Sequence, residues 1–278
     1  MSDSFAPMQV ITSENNPKVK AAKKLLRKKG RLQAQRCLLE GTRLVEDAIL
    51  SQAEMDTVFV SEELVGTDGG EEFIQRLKAS RPKVQWYQVP REIIAALSET
   101  KTPQGVVAVA KIPEGSLRQA LEGPNPLVLI ADQVRDPGNL GTMIRTAAGA
   151  GCTGVVMTKG TVDPFSGKVL RSTMGSLWRI PIAYDIEYEE LLEQLQQVGC
   201  SLVVADAQGR VPYFASDFTG SCGIVIGNEA KGPSPLLNHR AEAVVSIPLH
   251  HNVESLNAAV AAAVLLFEAA KQRQIKTQ

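Results

Sequence analysis

GIVIGNEAKGPS (residues 223–234) and VSIPLHHNVESLNAAVAAAVLLFEAAK (residues 245–271) decide how the rest of the chain reads. GIVIG is an apolar run closed by Gly227, the pattern of a buried strand. Gly227 and Gly232 then bracket Asn228, Glu229 and Lys231. Glycines at that spacing allow a tight turn and close approach of a ligand to the backbone. VVSIPL is a second apolar run, and Pro248 ends it because proline has no ladder N–H to offer. The polar loop HHNVESLN leads into an Ala-, Val- and Leu-rich helix, with Ser255 or Asn257 as the capping residue over its first free N–H groups. Two strand ends and one helix start therefore bring polar side chains and bare backbone together. In an open α/β sheet that is where a small ligand sits.

Upstream, PLVLIADQV (126–134) reads as a buried strand, RDPGNLG (135–141) as a turn and TMIRTAAGAG (142–151) as a helix. The glycines at 138, 141 and 149 do not have the G-x-G-x-x-G spacing, which argues against a dinucleotide site. Asn139 lies at the turn. Arg145 follows on the helix, where a guanidinium suits a phosphate or ribose contact or, equally, pairing with a surface acid. GVVMTKG is the next strand. Lys168 and Arg171 precede the small-residue stretch STMGS, with a strand expected to end at Pro181. LLEQLQQVGC is an amphipathic helix and LVVADA a strand. This alternation predicts a parallel sheet.

The N-terminal half reads differently. Residues 1–10 form a loose start. NPKVKAAKKLLRKKGRLQAQR (16–36) follows, with Asn15 or Asn16 as N-cap before Pro17 and an apolar stripe of Val19, Ala22, Leu25 and Leu26. Lys18, Lys20, Lys23, Lys24, Arg27, Lys28, Lys29, Arg31 and Arg36 crowd this segment, with no acid between Asn16 and Leu39. Such a run is either a solvated helix face or a surface for nucleic-acid phosphates, and its unopposed density favours RNA. From Thr57 to Val109 strands and helices alternate, an α/β layer domain. KIPEGSLRQALEGPNP (111–126) is rich in proline and glycine and reads as a linker, giving one domain over residues 1–120 and another over 121–278.

The chain has 278 residues and equal numbers of basic and acidic residues, so the basic segment is an asymmetry hidden in a net charge of zero. Cys37, Cys152, Cys200 and Cys222 are scattered without a C-x-x-C pair, and the three histidines lack ligand spacing, so no metal site is expected. No apolar run approaches the roughly 18 residues of a spanning helix, and no secretory signal opens the chain, so the expected location is the cytoplasm.

GNEAKG, SIPL and SLNAAVAAAVLLFE, with DQVRDPGNLGTMIRTAAGAG upstream, together resemble the motifs of the SpoU-type (TrmH-like) RNA ribose 2′-O-methyltransferases of the SPOUT superfamily, in the family's order over about half the chain. The resemblance implies an α/β protein: a small N-terminal RNA-binding domain and a parallel-sheet catalytic domain with a trefoil knot. It implies methyl transfer from S-adenosylmethionine to a ribose 2′-hydroxyl, with ribosomal RNA favoured by the separate N-terminal domain. Transfer RNA as substrate, or a non-catalytic RNA-binding protein, are the alternatives. By motif position Asn139, Arg145, Glu229, Ser255 and Asn257 are the catalytic set, and Gly227, Ile247 and Leu256 hold the cofactor. Arg145 is either the base or a phosphate clamp, with Glu229 holding Arg145 or the ribose. Lys18, Lys23, Lys24, Arg27, Lys28 and Lys29 of the basic segment, with Arg43, are the expected RNA contacts. A homodimer through the apolar C-terminal helix is also implied.

Overall fold

The computed structural model describes residues 8–81, 83–251 and 253–277. In chain order the elements begin with β1 (Gln9–Val10), α1 (Pro17–Lys24), α2 (Lys28–Ala34), β2 (Arg36–Glu40), α3 (Thr42–Leu50), β3 (Met55–Ser61), α4 (Glu62–Val65), α5 (Asp68–Ser80), β4 (Gln85–Val89), α6 (Arg91–Leu97) and β5 (Val106–Lys111). There follow α7 (Leu117–Ala120), β6 (Leu127–Ala131), α8 (Pro137–Gly149), β7 (Gly154–Thr158), α9 (Gly167–Thr173), β8 (Ile182–Ile186), α10 (Tyr188–Gln197), β9 (Ser201–Ala205), β10 (Val211–Pro212), β11 (Cys222–Ile226), α11 (Pro235–Arg240), β12 (Ala243–Ser246) and α12 (Ala258–Thr277). Two compact units result. One runs to Pro113 and takes in Phe165–Trp178; the other comprises Glu114–Pro164 and Arg179–Gln278.

The first unit is a five-stranded sheet in the order β1-β4-β3-β5-β2. β4 is parallel to β1 and β3, whereas β5 is antiparallel to β2 and β3. Apolar residues of α1 (Val19, Ala22) and α6 (Ile93, Ile94, Leu97) close one core over Phe59 and Val107. Within this unit α9 packs on β2. There Glu40, 8% exposed, accepts hydrogen bonds from Arg171 Nη1 at 3.2 Å, from the Glu99 amide at 3.1 Å and from the Thr100 hydroxyl. A buried carboxylate is tolerated only when its oxygens are satisfied in this way.

The second unit is an all-parallel sheet in the order β10-β12-β9-β11-β6-β7-β8. β6, β7 and β11 are buried at every position, which is why they read as unbroken apolar runs. Ile226 stands opposite both Ala131 and Ala205, so β6, β9 and β11 end level with one another. Their following residues emerge at one edge of the sheet. The packing of α8 against α12 covers a helix face of small and apolar residues.

Four expectations change. The strand expected to end at Pro181 instead begins after it, at Ile182, and residues 176–178 form a 3₁₀ turn. Met174 (φ 47°) and Gly175 (φ 74°) reverse the backbone just before it. The basic segment is two short helices rather than one, and Arg31 is buried. Of the loose start, residues 1–7 lie outside the described residues, and Gln9–Val10 form an edge strand on β4. VVSIPL leaves the sheet after Ser246, so Ile247 and Pro248 are loop. As expected, Asn16 caps α1, accepting from the Lys18 amide at 2.9 Å with Pro17 at the first helical position. The four cysteines are free thiols, and burial pushes Cys152 and Cys200 up to about 12. Among the described residues no helix is long and apolar enough to cross a membrane.

Near the end of α12, the Arg273 guanidinium donates to the carbonyls of Phe218, Asn125, Pro126 and Gly220 at 3.0, 2.8, 3.2 and 2.6 Å. It bolts the helix to the loops at the opposite edge of the sheet. Arg273→Ala strips a charged donor from four carbonyls and is expected to destabilise this unit by about 3 kcal/mol. Thermal unfolding is the check, with a midpoint lower by several degrees.

Candidate active site

The loop after β6 and the loop after β11 meet at the level strand ends, and one carboxylate joins them. Glu229 Oε1 accepts from the Asp136 amide and from Asn139 Nδ2, both at 3.0 Å, and Oε2 accepts from the Arg135 amide at 3.0 Å. Asn139 is fixed at the start of α8, where Asp136 caps the helix by accepting from the Asn139 amide at 2.8 Å and Pro137 takes the first helical position. The Asn139 side chain in turn accepts from Asn257 Nδ2 at 2.8 Å. Asn257 caps α12: its Oδ1 accepts from the amides of Ala259 at 2.9 Å and Val260 at 3.3 Å. Three motifs far apart in sequence thus form one hydrogen-bonded chain from Asn257 through Asn139 to Glu229.

The turn carrying Glu229 is held by itself and from beneath. Asn228 and Gly232 exchange backbone hydrogen bonds at 3.1 and 2.9 Å, with Gly232 at φ 69°. A β-carbon on Gly227 would lie 2.1 Å from the Pro233 nitrogen, so only glycine lets the turn fold back this closely. Asn228 Nδ2 reaches the Gln133 carbonyl at 2.9 Å. Below, the buried Asp132 carboxylate accepts from the Thr158 hydroxyl (2.9 Å), the Tyr188 hydroxyl (2.8 Å) and the Ser234 amide (2.7 Å). Gln133 sits at φ 53°, a costly conformation for a residue with a side chain. It is held there by its amide on Thr158 Oγ1 and its side chain on Tyr188 Oη. Burial, then the Asp132 hydrogen bond, raises the Tyr188 phenol, so it stays a donor.

Burial pushes the Glu229 carboxyl upward. The Asn139 side chain and the Arg135 and Asp136 amides outweigh it and hold the group below its ordinary value. The arrangement is therefore an ionised, oriented carboxylate at a helix start.

Of the predicted residues, the structure brings Asn139, Glu229 and Asn257 into contact. Gly227 lies directly after β11, Ile247 directly after β12 and Leu256 two residues before α12. Ser255 is exposed, and capping falls to Asn257 instead. Glu229 holds Asn139 and not Arg145. Arg145 is exposed on α8 and, among the described residues, has no hydrogen-bond or ion-pair partner. Six residues from Asn139, it lies about 240° around the helix and about 9 Å further along it. The sequence reading missed Asp132, Gln133, Asp136, Thr158, Tyr188 and Ser234. Asp136 was findable, because Asp-Pro at a strand-to-helix turn is an N-cap followed by a first-turn proline. In the first unit Lys24, Arg27, Lys28, Lys29 and Arg43 are exposed. Lys23 pairs with Glu14 at 2.6 Å, and Lys18 donates to Gln85 at 2.6 Å while lying 5.1 Å from the Tyr87 ring centre.

A parallel sheet whose level strand ends carry a hydrogen-bonded polar chain defines an α/β protein with a ligand site at those ends. Residues 126–267 match the SpoU rRNA Methylase family and residues 16–108 match the MRM3-like substrate binding domain. The chain belongs to the SpoU rRNA methylase family. It is 36% identical over 261 residues to the Bacillus subtilis 23S rRNA (guanosine(2553)-2'-O)-methyltransferase RlmP, covering 94% of this chain and 98% of that one. It is 32% identical to the mouse mitochondrial rRNA methyltransferase 3, covering 87% of this chain and 68% of that one. Among solved structures, the AdoMet-bound rRNA methyltransferase from Sinorhizobium meliloti superposes with a TM-score of 0.83 at 31% identity, over 95% of this chain and 98% of that one.

Because the folded value of Glu229 is depressed, its stabilising contribution is complete above the ordinary 4.5 and is lost as pH falls through the folded value. Amide exchange at Arg135 and Asp136 is expected to stay protected from neutral pH down to about 4.5 and to accelerate only below it. Glu229→Gln turns an acceptor into a donor facing one of these amides, and costs the loop on the order of 1 kcal/mol once solvent screening is allowed for. The same exchange measurement reads it as lost protection at every pH.

Proposed function

We propose that this protein transfers a methyl group from S-adenosylmethionine to the 2′-hydroxyl of a ribose in ribosomal RNA. The observation that carries the reading is the chain Asn257–Asn139–Glu229, which ties the three motifs of the family into one site. The family and the relatives named for ribosomal RNA support the substrate class. The match of residues 16–108 to a substrate binding domain supports an RNA role for the N-terminal part, residues 1–120, with catalysis in 121–278.

The residues present fit the cofactor. Between Ile247 and Leu256 the described backbone makes one hydrogen bond of its own, from the Val253 amide to the His250 carbonyl at 3.3 Å. Among the described residues of this loop, amides and carbonyls without a backbone partner are available to a ligand, next to the half-buried Ile247 and Leu256. Gly227, Ile247 and Leu256 hold the cofactor in this proposal, and the sulfonium it carries supplies an activated methyl group. The protein's task is then placement and handling of the hydroxyl proton. Glu229 and Asn139 offer acceptors that orient a ribose hydroxyl, Asn257 fixes Asn139, and Ser255 adds an exposed hydroxyl two residues before Asn257. Arg145 presents a planar two-donor fork free to clamp an RNA phosphate. The knotted threading belongs to the same proposal, supported by the return of Asn257 to Asn139 across 118 residues. A cytoplasmic location suits four free thiols.

A homodimer is also proposed, through α12. Val260 is 49% exposed and Phe267 55%, and with half-buried Val264 they form one stripe at helical spacing. Phe267→Glu is expected to give a monomer in sedimentation where the unaltered protein gives a dimer; a variant that remains dimeric removes α12 from the interface.

The activity test is transfer of labelled methyl from S-adenosylmethionine to total bacterial RNA, separated by size. Label in ribosomal RNA, retained as an alkali-resistant dinucleotide, is the expected result. Label in transfer RNA overturns the substrate, and no label with cofactor binding intact leaves an RNA-binding protein. Arg145→Ala is expected to lower transfer at least a hundredfold with folding and cofactor binding intact. Arg145→Lys should restore part of it, because a clamp needs charge above all. Near-normal turnover in the alanine variant would remove Arg145 from the site.

A further inference from the structure

We propose that the corner between α1 and α2 is a pocket for one unpaired nucleotide of the RNA. The inference rests on the RNA reading above and adds a defined subsite to it. A cavity of about 460 Å³ opens here, lined by Lys23, Lys24, Leu26, Arg27, Lys29 and Gln33. That volume lies in the range of small-molecule pockets, roughly 300–1,000 Å³.

The corner is built rather than accidental. α1 stops at Lys24, and Arg27 is extended (φ −103°, ψ 139°) before α2 begins. The carbonyls left at the end of α1 are taken by a side chain from α2. Arg31, 6% exposed, donates Nη1 to Leu25 O at 2.8 Å and to Leu26 O at 3.0 Å. A buried guanidinium is costly unless so engaged, so the bond fixes the angle between the helices. Gly30 lets the two backbones touch: a β-carbon there would lie 2.0 Å from the Lys24 carbonyl oxygen. Leu26 packs on the core of the unit and gives the pocket a fixed apolar floor.

The lining selects the ligand. Lys23, Lys24, Arg27 and Lys29 bring four cations, and among the described residues no carboxylate lines the cavity. Their aliphatic stems form walls while the charges stay at the rim. Apolar walls under a cationic rim suit a planar base with its own phosphates above it. The Arg27 guanidinium offers a stacking plane, and the Gln33 amide offers one donor and one acceptor pair for a base edge. Lys23 is already shared with Glu14, so among the described residues Lys24, Arg27 and Lys29 are the lining cations without an ion-pair partner. A paired base inside a helix has neither its face nor its edge available for such a pocket.

The test uses the full chain with a short oligouridylate, and a blunt RNA duplex of equal length as the contrast. Lys24→Ala combined with Arg27→Ala should weaken oligouridylate binding at least tenfold. It should also flatten the salt dependence by about 1.4, from two phosphate contacts at about 0.7 each on a single strand. Duplex binding should change less. A 4-thiouridine in the oligonucleotide should photo-crosslink within residues 23–33. Gln33→Ala, which leaves every charge, should alter the preference between oligouridylate and oligoadenylate without changing the salt slope. Equal competition by the duplex, or unchanged oligouridylate affinity in the double variant, overturns the pocket. Methyl transfer measured on the same preparations separates the two readings. Transfer with unchanged oligouridylate binding in the variant removes the pocket alone. Absence of transfer with the expected loss of oligouridylate binding removes the methyltransferase reading alone.

Discussion

Three hydrogen bonds to Glu229 hold the loops after β6 and β11 in register. Its two oxygens take the amides of Arg135 and Asp136 and the side chain of Asn139, all at 3.0 Å, from residues 90 to 94 positions earlier in the chain. Charge makes these bonds worth more than neutral ones, and a carboxylate has no proton to misdirect. The turn bearing Glu229 cannot swing away, because Gly227 folds it onto Pro233 and Asn228 closes it on Gly232. The geometry of the site therefore rests on the sheet, which brings the ends of β6 and β11 level, and on one side chain that uses this level.

Asp132 does the corresponding work one layer deeper. It is 1% exposed, and its two oxygens collect the Thr158 hydroxyl, the Tyr188 hydroxyl and the Ser234 amide from three separate elements. A buried carboxylate with fewer donors would be destabilising, so the three partners are a requirement of its burial. The left-handed conformation of Gln133 follows. Asp132 points down into the network, while Arg135 and Asp136 must present their amides to Glu229. The chain reverses over two residues, and Gln133 carries the strain because its amide, side chain and carbonyl are each bonded.

What could be read from the sequence divides along a physical line. Buried parallel strands announce themselves as apolar runs: β6, β7 and β11, buried at every position, and β9, buried at its three central positions, lie where those runs stand. Caps carry local signals too, so Asn16 and Asn257 were identifiable. The pairing of Glu229 with Asn139 was not, because its partners are distant in sequence and no periodicity encodes them; the motifs placed both residues in one site, but the expected partner was Arg145 or the ribose. Asp132 was hidden as the polar end of an apolar run. Arg31 read as one more surface cation, since nothing local reveals that α1 ends early and leaves carbonyls for it to satisfy. The run before Pro181 imitates a strand in composition, yet the left-handed pair at Met174 and Gly175 turns the chain first.

The hydrogen-bonded chain also has a direction, fixed by its ends. At one end the Asn257 oxygen must face the helix amides of Ala259 and Val260, which only donate, so its NH₂ must face Asn139. At the other end an ionised Glu229 only accepts, so the Asn139 NH₂ must face it. Both side-chain amides are thereby assigned without ambiguity of flip. Aspartate at 139 would set two carboxylates together, and serine at 257 has one hydroxyl to serve both the helix start and Asn139. The consequence concerns what the site can receive. The second lone pair of Asn139 Oδ1 and the remaining lone pairs of Glu229 are acceptors, so this end of the sheet meets a ligand with acceptors and with the carboxylates of Glu229 and Asp136. A neutral hydroxyl, which brings a proton to such a surface, is matched to it, and an anionic group is disfavoured there.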